Sequence, residues 1–262
     1  MPRSENDRVK SLEKGLKLLL LLGGQEEPLN LEKIAQTSGL NKTTCYRLLK
    51  TMQELGFVEQ EPGSKQYRLG AKNISLGAAA VKGLSLRHLA LPYMRRLKDT
   101  TQETVNLSVL DGAEVVFIER LEASHIVSTH HRIGDRLPAY CTCMGKAILA
   151  NLPQEKLLAI LDKTRLEAKT PNTITDRQAF LGELQRIRQE GLAYNREELE
   201  KGLCAVAAPI MGYAGEAVAG LNVAFPLTRH DAQEVSRRFA PLVKQAAADI
   251  SRLLGYSKEQ AA

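Results

Sequence analysis

The stretch Asn41-Lys42-Thr43-Thr44-Cys45-Tyr46-Arg47-Leu48-Leu49-Lys50 gathers hydroxyls, an amide and three cations directly after Gly39-Leu40. Cys45, Leu48 and Leu49 recur at helical spacing, which leaves Lys42, Thr43, Thr44, Tyr46, Arg47 and Lys50 on the other face. That face suits the major groove of a duplex. Threonine hydroxyls reach bases or phosphates, and an arginine can fork onto a guanine. A lysine beside a helix N-terminus serves phosphates. Further on, Lys65 and Arg68 flank a turn and suit contacts with the nucleic-acid backbone or minor groove.

Other chemistries find less support. No Gly-rich phosphate loop, nucleophile elbow or His-Glu-x-x-His motif occurs, the five histidines are scattered, and the adjacent carboxylates Glu197-Glu198 diverge in a strand or loop. No enzyme is expected. Cys141, Cys143 and Cys204 with His130 or His131 offer thiolate and imidazole ligands in principle. Their spacing matches no common zinc pattern, and small buried cysteines explain them more simply. Neither a metal nor a cofactor is expected.

The elements that must position the basic face follow from punctuation. Residues 7–22 are predicted to form a helix stopped by Gly23-Gly24, and Asn30 caps a second helix from Leu31 to Thr37. Gly39 makes the turn, Asn41 caps a third helix ending at Gly56, and Phe57–Gln60 with Gln66–Leu69 alternate as a hairpin. Two helices joined by a short Gly-containing turn, then a hairpin, predict a winged helix-turn-helix with a core of Leu31, Ile34, Leu40, Cys45, Leu48 and Leu49. From Lys33 to Lys72 there are seven Lys/Arg against three Asp/Glu.

The Ala-rich run from Gly70 to Gly83 predicts a linker helix, with Ser75 to Gly83 as a bistable connector. Expected domains are 1–70 (winged helix), 71–83 (linker) and 84–262 (a second domain). In the last, Ser85–Thr101 is a helix started or broken at Pro92, and Thr104–Leu110 with Val115–Arg120 form a hairpin. Ile126–Arg132 is expected to be a third strand. Thr142–Asn151, Gln154–Lys163 and Asp176–Glu190 are helical, Leu192–Arg196, Ala205–Met211 and Ala217–Phe225 are strands, and Ala232–Leu254 is a closing helix. Hairpin strands with helices around them predict an α+β fold with a mainly antiparallel sheet. Residues 138–147 set small and soft side chains before a helix start, which favours an anionic or carbonyl-bearing ligand.

Composition agrees with a nucleic-acid partner without demanding one. The net charge is +6 over 262 residues, and residues 1–83 carry +4 of it. Four cysteines do not make a disulfide scaffold, the N-terminus lacks a signal-peptide core, and the leucine run at 18–22 is too short to span a membrane. A cytoplasmic location is expected.

Taken together the chain resembles the IclR family of bacterial transcriptional regulators. The resemblance rests on "VKSLEKGLKLLLLL", "GLNKTTCYRLLKTMQELGFV", "RIGDRLPAYCTCMGKAILA", "GLAYNREELEKGLCAVAAPI" and "AVAGLNVAF", in order from about Val9 to Tyr256. It implies a winged helix joined by a linker helix to a GAF-like effector-binding domain, and dimers that pair into tetramers on operator DNA. It also implies that Ile126, Thr129, Cys143, Met144, Asn195, Leu203, Ala205, Asn222 and Ala224 line an effector pocket. This sequence departs from the family's commonest pattern at Cys143-Met144, where a smaller pair is frequent, and at Asn195, where an acidic residue is frequent. The expected function is operator binding, as a repressor, modulated by a small organic metabolite such as a carboxylate catabolic intermediate. The rival reading is a dimerisation or sensing module whose winged helix contacts protein.

Overall fold

A computed structural model describes residues 9–25, 27–76, 85–123 and 131–256. The chain divides into two compact units, Met1–Gly83 and Leu84–Ala262. Among the described residues no helix is long and apolar enough to cross a membrane.

The first unit begins with helices α1 (Lys10–Gly23), α2 (Leu31–Ser38) and α3 (Lys42–Glu54), followed by strands β1 (Val58–Gln60) and β2 (Tyr67–Leu69). Asn30 and Asn41 cap α2 and α3, accepting from the backbone N–H groups of Lys33 at 2.9 Å and Thr44 at 2.8 Å. Each cap contributes about 1 kcal/mol. Gly39 ends α2 at φ 69°, a left-handed conformation that lets the chain turn within three residues. Leu18 and Leu22 of α1, Ile34 of α2, Cys45 and Leu49 of α3, and Val58 and Tyr67 of the hairpin form the core. Leu31, Leu40 and Leu48 pack at its margin, only partly buried. Tyr67 also exchanges both backbone hydrogen bonds with Leu29, which ties the hairpin to the segment before α2. Residues 72–76 are helical, whereas 77–83 of the expected linker lie outside the described residues.

The second unit is built on an antiparallel sheet of order β5-β4-β3-β8-β7-β6. Its strands are β3 (Thr104–Asp111), β4 (Glu114–Leu121), β5 (Arg136–Pro138), β6 (Ala193–Arg196), β7 (Leu203–Met211) and β8 (Ala217–Pro226). Helices cover both faces. On one face lie α4 (Ser85–Thr101) and the last helix, α8 (Ala240–Leu253), against Val105, Leu107, Val206, Leu221 and Val223. On the other lie α5 (Cys143–Leu149) and α7 (Arg177–Glu190), with α6 (Gln154–Leu161) beside them. Double coverage explains why β7 and β8 are apolar nearly throughout, since neither face meets water.

Two expectations need amendment, and a third falls largely outside the described residues. Pro92 neither starts nor breaks its helix: α4 runs through it, because Pro92 and His88, whose backbone bond it forfeits, both lie on the exposed side. The closing helix contains a π-helical turn at Val235–Phe239, where Ala240 donates to the carbonyl of Val235. Pro241, next in the chain, would clash with the carbonyl four residues back in an α-helix, and the wider turn relieves it. The third strand expected at Ile126–Arg132 falls mainly on 124–130, outside the described residues, and His131 and Arg132 are not in a strand. Besides β3, β4 pairs with the three-residue β5, an element not expected.

Candidate DNA-reading helix and buried effector face

In the first unit the capped start of α3 points its polar side chains outward. Lys42, Thr43, Tyr46, Arg47 and Lys50 are exposed and Thr44 is half-buried, while Cys45, Leu49 and Met52 turn inward. Lys42 is held by Glu32 of α2 at 2.7 Å. Arg47 and Lys50 form no ion pair among the described residues, so their charge is available to an anion. In the hairpin, Arg68 is paired with Glu59 at 3.1 Å, whereas the Lys65 ammonium, at the turn with φ 56°, forms no ion pair among the described residues. The cations of the wing therefore differ in how much charge they can offer.

In the second unit the pairing register sorts the expected effector residues. Asn106 lies opposite Asn222, which lies opposite Ala207; Thr104 lies opposite Ala224, which lies opposite Ala205; and Ala205 lies opposite Asn195. With a side-chain period of two, Leu203, Ala205, Asn222, Ala224 and Asn195 share the face covered by α5. Cys143 and Met144 begin that helix and are buried against it. Seven of the nine expected residues are thus brought together. Ile126 and Thr129 lie outside the described residues.

The helix start is fixed from within. Thr142 caps α5, accepting from the N–H of Gly145 at 3.2 Å. A Cβ on Gly145 would stand 2.2 Å from the carbonyl oxygen of Ala139, so backbone meets backbone there. Asn195 is a strut: its Nδ2 donates to the carbonyl of Cys141 at 2.9 Å and its Oδ1 accepts from the N–H of Glu198 at 2.9 Å. The Cys143 thiol is pushed up to about 11 by burial, as is that of Cys141. Both are protonated at neutral pH. Among the described residues no group of three or more His, Cys, Asp or Glu side chains is arranged to hold a metal ion.

A polar row crosses this face, adding Arg120, Asn106 and Ser108, which the sequence-based expectation missed, to the expected Asn222, Cys143 and Met144. Arg120, its side chain 4% exposed, donates from Nη1 to Oδ1 of Asn106 at 3.0 Å. Asn106 donates to Oδ1 of Asn222 at 2.8 Å, and Asn222 donates in turn to the sulfur of Cys143 at 3.4 Å. Two residues along β3, on the same face, the Ser108 hydroxyl donates to the Met144 sulfur at 3.3 Å. Two buried donors therefore end on sulfur, a weak acceptor. The signal was present in the alternation of Thr104, Asn106 and Ser108 with Val105 and Leu107. In a sheet with one wet face that pattern marks solvent-facing positions; here all three polar residues are buried.

Beneath the same helix sits an ionic cluster. Lys146, with no exposed surface, contacts Glu198 at 2.5 Å and Glu183 at 3.7 Å, and Glu183 is clamped by Arg186 at 2.8 Å. Burial pushes the Glu198 carboxyl above the ordinary range while Lys146 pulls the other way. Burial also opposes ionisation of Glu183, but Arg186 and Lys146 outweigh it and hold that carboxyl below the ordinary range.

Comparison with known proteins decides the family. The model described as "Bacterial transcriptional regulator IclR C-terminal" matches residues 78–252, and that of the IclR helix-turn-helix domain matches 11–62. The chain belongs to the IclR family of transcriptional regulators. It is 34% identical to the HTH-type transcriptional regulator XynR of Escherichia coli (strain K12), over 95% of this chain and 98% of that protein. It is likewise 34% identical to KdgR of the same organism, over 95% and 94%. The Thermotoga maritima IclR crystal structure superposes with a TM-score of 0.72 at 30% identity, covering 95% of this chain and all of that one. An IclR homolog from Microbacterium hydrocarbonoxydans, crystallised with 4-hydroxybenzoate, gives 0.79 at 26% identity, over 94% and 100%. As an IclR-family regulator the chain joins a DNA-binding helix-turn-helix domain to a ligand-binding C-terminal domain.

Proposed function

We propose that this IclR-family protein is a cytoplasmic repressor that binds operator DNA as a dimer, pairing into tetramers, and is modulated by a small organic carboxylate. Its domains are a winged helix at 1–70, a linker at 71–83 and an effector domain at 84–262. Lys42, Thr43, Thr44, Tyr46, Arg47 and Lys50 enter the major groove, and Lys65 and Arg68 follow the backbone from the wing. The observation that carries this reading is the outward face of α3, where Arg47 and Lys50 keep uncompensated charge beside a capped helix start.

The effector occupies the face under α5, lined by Cys143, Met144, Leu203, Ala205, Asn222 and Ala224, with Asn195 bracing it and Ile126 and Thr129 completing it. Two donors resting on sulfur support an oxygen-rich ligand, which offers a far better acceptor. The 4-hydroxybenzoate bound by the Microbacterium relative is a carboxylate of this kind. Ligand and DNA are coupled through different affinities of two arrangements of the protein.

The test combines DNA binding with a thermal-shift screen of organic acids that includes 4-hydroxybenzoate. A hit raises stability by about RT ln(1 + [L]/Kd) and lowers affinity for the operator fragment. Indifference of the full chain to every duplex from its own genomic neighbourhood, at low and moderate salt, refutes the DNA reading in favour of protein contacts.

A further inference from the structure

A cavity lies at the free edge of the sheet, around β6. Its volume is about 390 Å³, within the range of small-molecule sites. One end is apolar, formed by Cys204, Phe225, Leu227 and Val235. The rest of the lining is charged, with Arg186, Arg196, Glu190 and Glu197. Arg196 and Arg186 both lie against the ring of Tyr194, with guanidinium carbons 5.4 and 5.9 Å from its centroid.

The two arginines are not equivalent. Arg186 is already neutralised by Glu183 and Glu190. Arg196 is exposed and has no carboxylate partner among the described residues. Of the acids in the lining, Glu190 is paired with Arg186, and Glu197 accepts from the N–H of Gly202 at 2.7 Å. His230 also borders the cavity, but its two ring nitrogens are engaged by Glu103 and Glu234, each at 2.9 Å. Arg196 is thus a guanidinium without a carboxylate partner among the described residues, at the mouth of a space walled by the rings of Tyr194 and Phe225.

From this we infer a second ligand site, beside the face under α5 and sharing Asn195 and Ala205 with it, that takes a small aromatic monocarboxylate. The carboxylate forms a two-pronged hydrogen-bonded pair with Arg196, and the ring lies against Phe225, Leu227 and Val235. The site and the effector face share β6: Tyr194 and Arg196 point to one side of the strand, and Asn195, the strut that braces the start of α5, points to the other.

The experiment is a fluorine-NMR titration of the full-length protein with 4-fluorobenzoate, with thermal melts confirming that each variant folds. The wild type shows a saturable component. Arg196→Gln weakens that component at least tenfold, and Leu227→Trp, at an exposed position on the cavity wall, removes it. 4-Fluorobenzamide, which lacks the charge, binds the wild type at least tenfold more weakly than the acid. Absence of saturable binding to the wild type overturns the inference, and so does an unchanged affinity in Arg196→Gln. Loss of all binding in Asn222→Ala with none in Arg196→Gln also overturns it, by moving the carboxylate beneath α5.

Discussion

Lys146 and Glu198 close an ion pair of 2.5 Å inside the C-terminal unit, the lysine without exposed surface and the acid nearly so. The pair pins α5 to the loop between β6 and β7. Removing one partner leaves the other charged and buried, which costs more than an apolar substitution of both. Lys146→Met is therefore expected to lower unfolding free energy by about 3–5 kcal/mol. The double change Lys146→Met, Glu198→Leu should recover much of that loss. Urea denaturation of the three proteins checks the order.

Asn195 should tolerate an acid poorly. Asp at this position keeps the acceptor for the N–H of Glu198 but puts an oxygen where Nδ2 now donates to Cys141, and it adds a charge beside Glu198. Asn195→Asp is expected to cost about 1–3 kcal/mol, measured by the same denaturation midpoint.

The buried thiols set an alkaline limit. Cys141 and Cys143 have pKa values raised from 9.0 to about 11. The folded state thus holds these protons longer than the unfolded chain does. Their contribution is complete below about pH 9 and is lost as pH rises towards 11. Melting temperature should fall across that window, and less steeply in Cys143→Ala. A slope identical to the wild type's would show that Cys143 is not responsible.

On DNA, Arg47 and Lys65 should behave differently. Arg47→Ala is expected to weaken specific binding by roughly 1–3 kcal/mol and relax one base preference. Lys65→Ala should weaken all sequences alike and reduce the salt slope by about one. Equal losses for Arg47→Ala on operator and random duplex would demote Arg47 to a phosphate contact.

Arg68 adds a contrasting case. Because Glu59 already neutralises it, Arg68→Ala should cost less than Lys65→Ala, and Glu59→Gln should tighten binding. Fluorescence anisotropy at two salt concentrations resolves both.

The winged helix was legible because its instructions are local. Asn30, Gly39 and Asn41 act within three residues of themselves, and the helical spacing of Cys45, Leu49 and Met52 needs no distant partner. The effector face was legible only through resemblance and only in part. Lys146 precedes an apolar run and resembles a surface cation, yet it is buried because Glu198 and Glu183 arrive from elsewhere in the chain. Asn106 and Ser108 alternate as solvent-facing residues do, and only the presence of α5 over that face reverses their meaning. Strand β5 was missed because three residues ending in proline carry no periodicity. Asn195 was expected to meet a ligand, and sequence cannot reveal that both ends of its amide are already engaged by the protein.

The sheet is a partition one backbone thick. Asn106 faces the side of α5, while its chain neighbours Val105 and Leu107 press on α4, the helix that opens the unit just past the linker. A tilt or shift of β3 is therefore felt in both compartments at once, since one residue looks into the first and the next into the second.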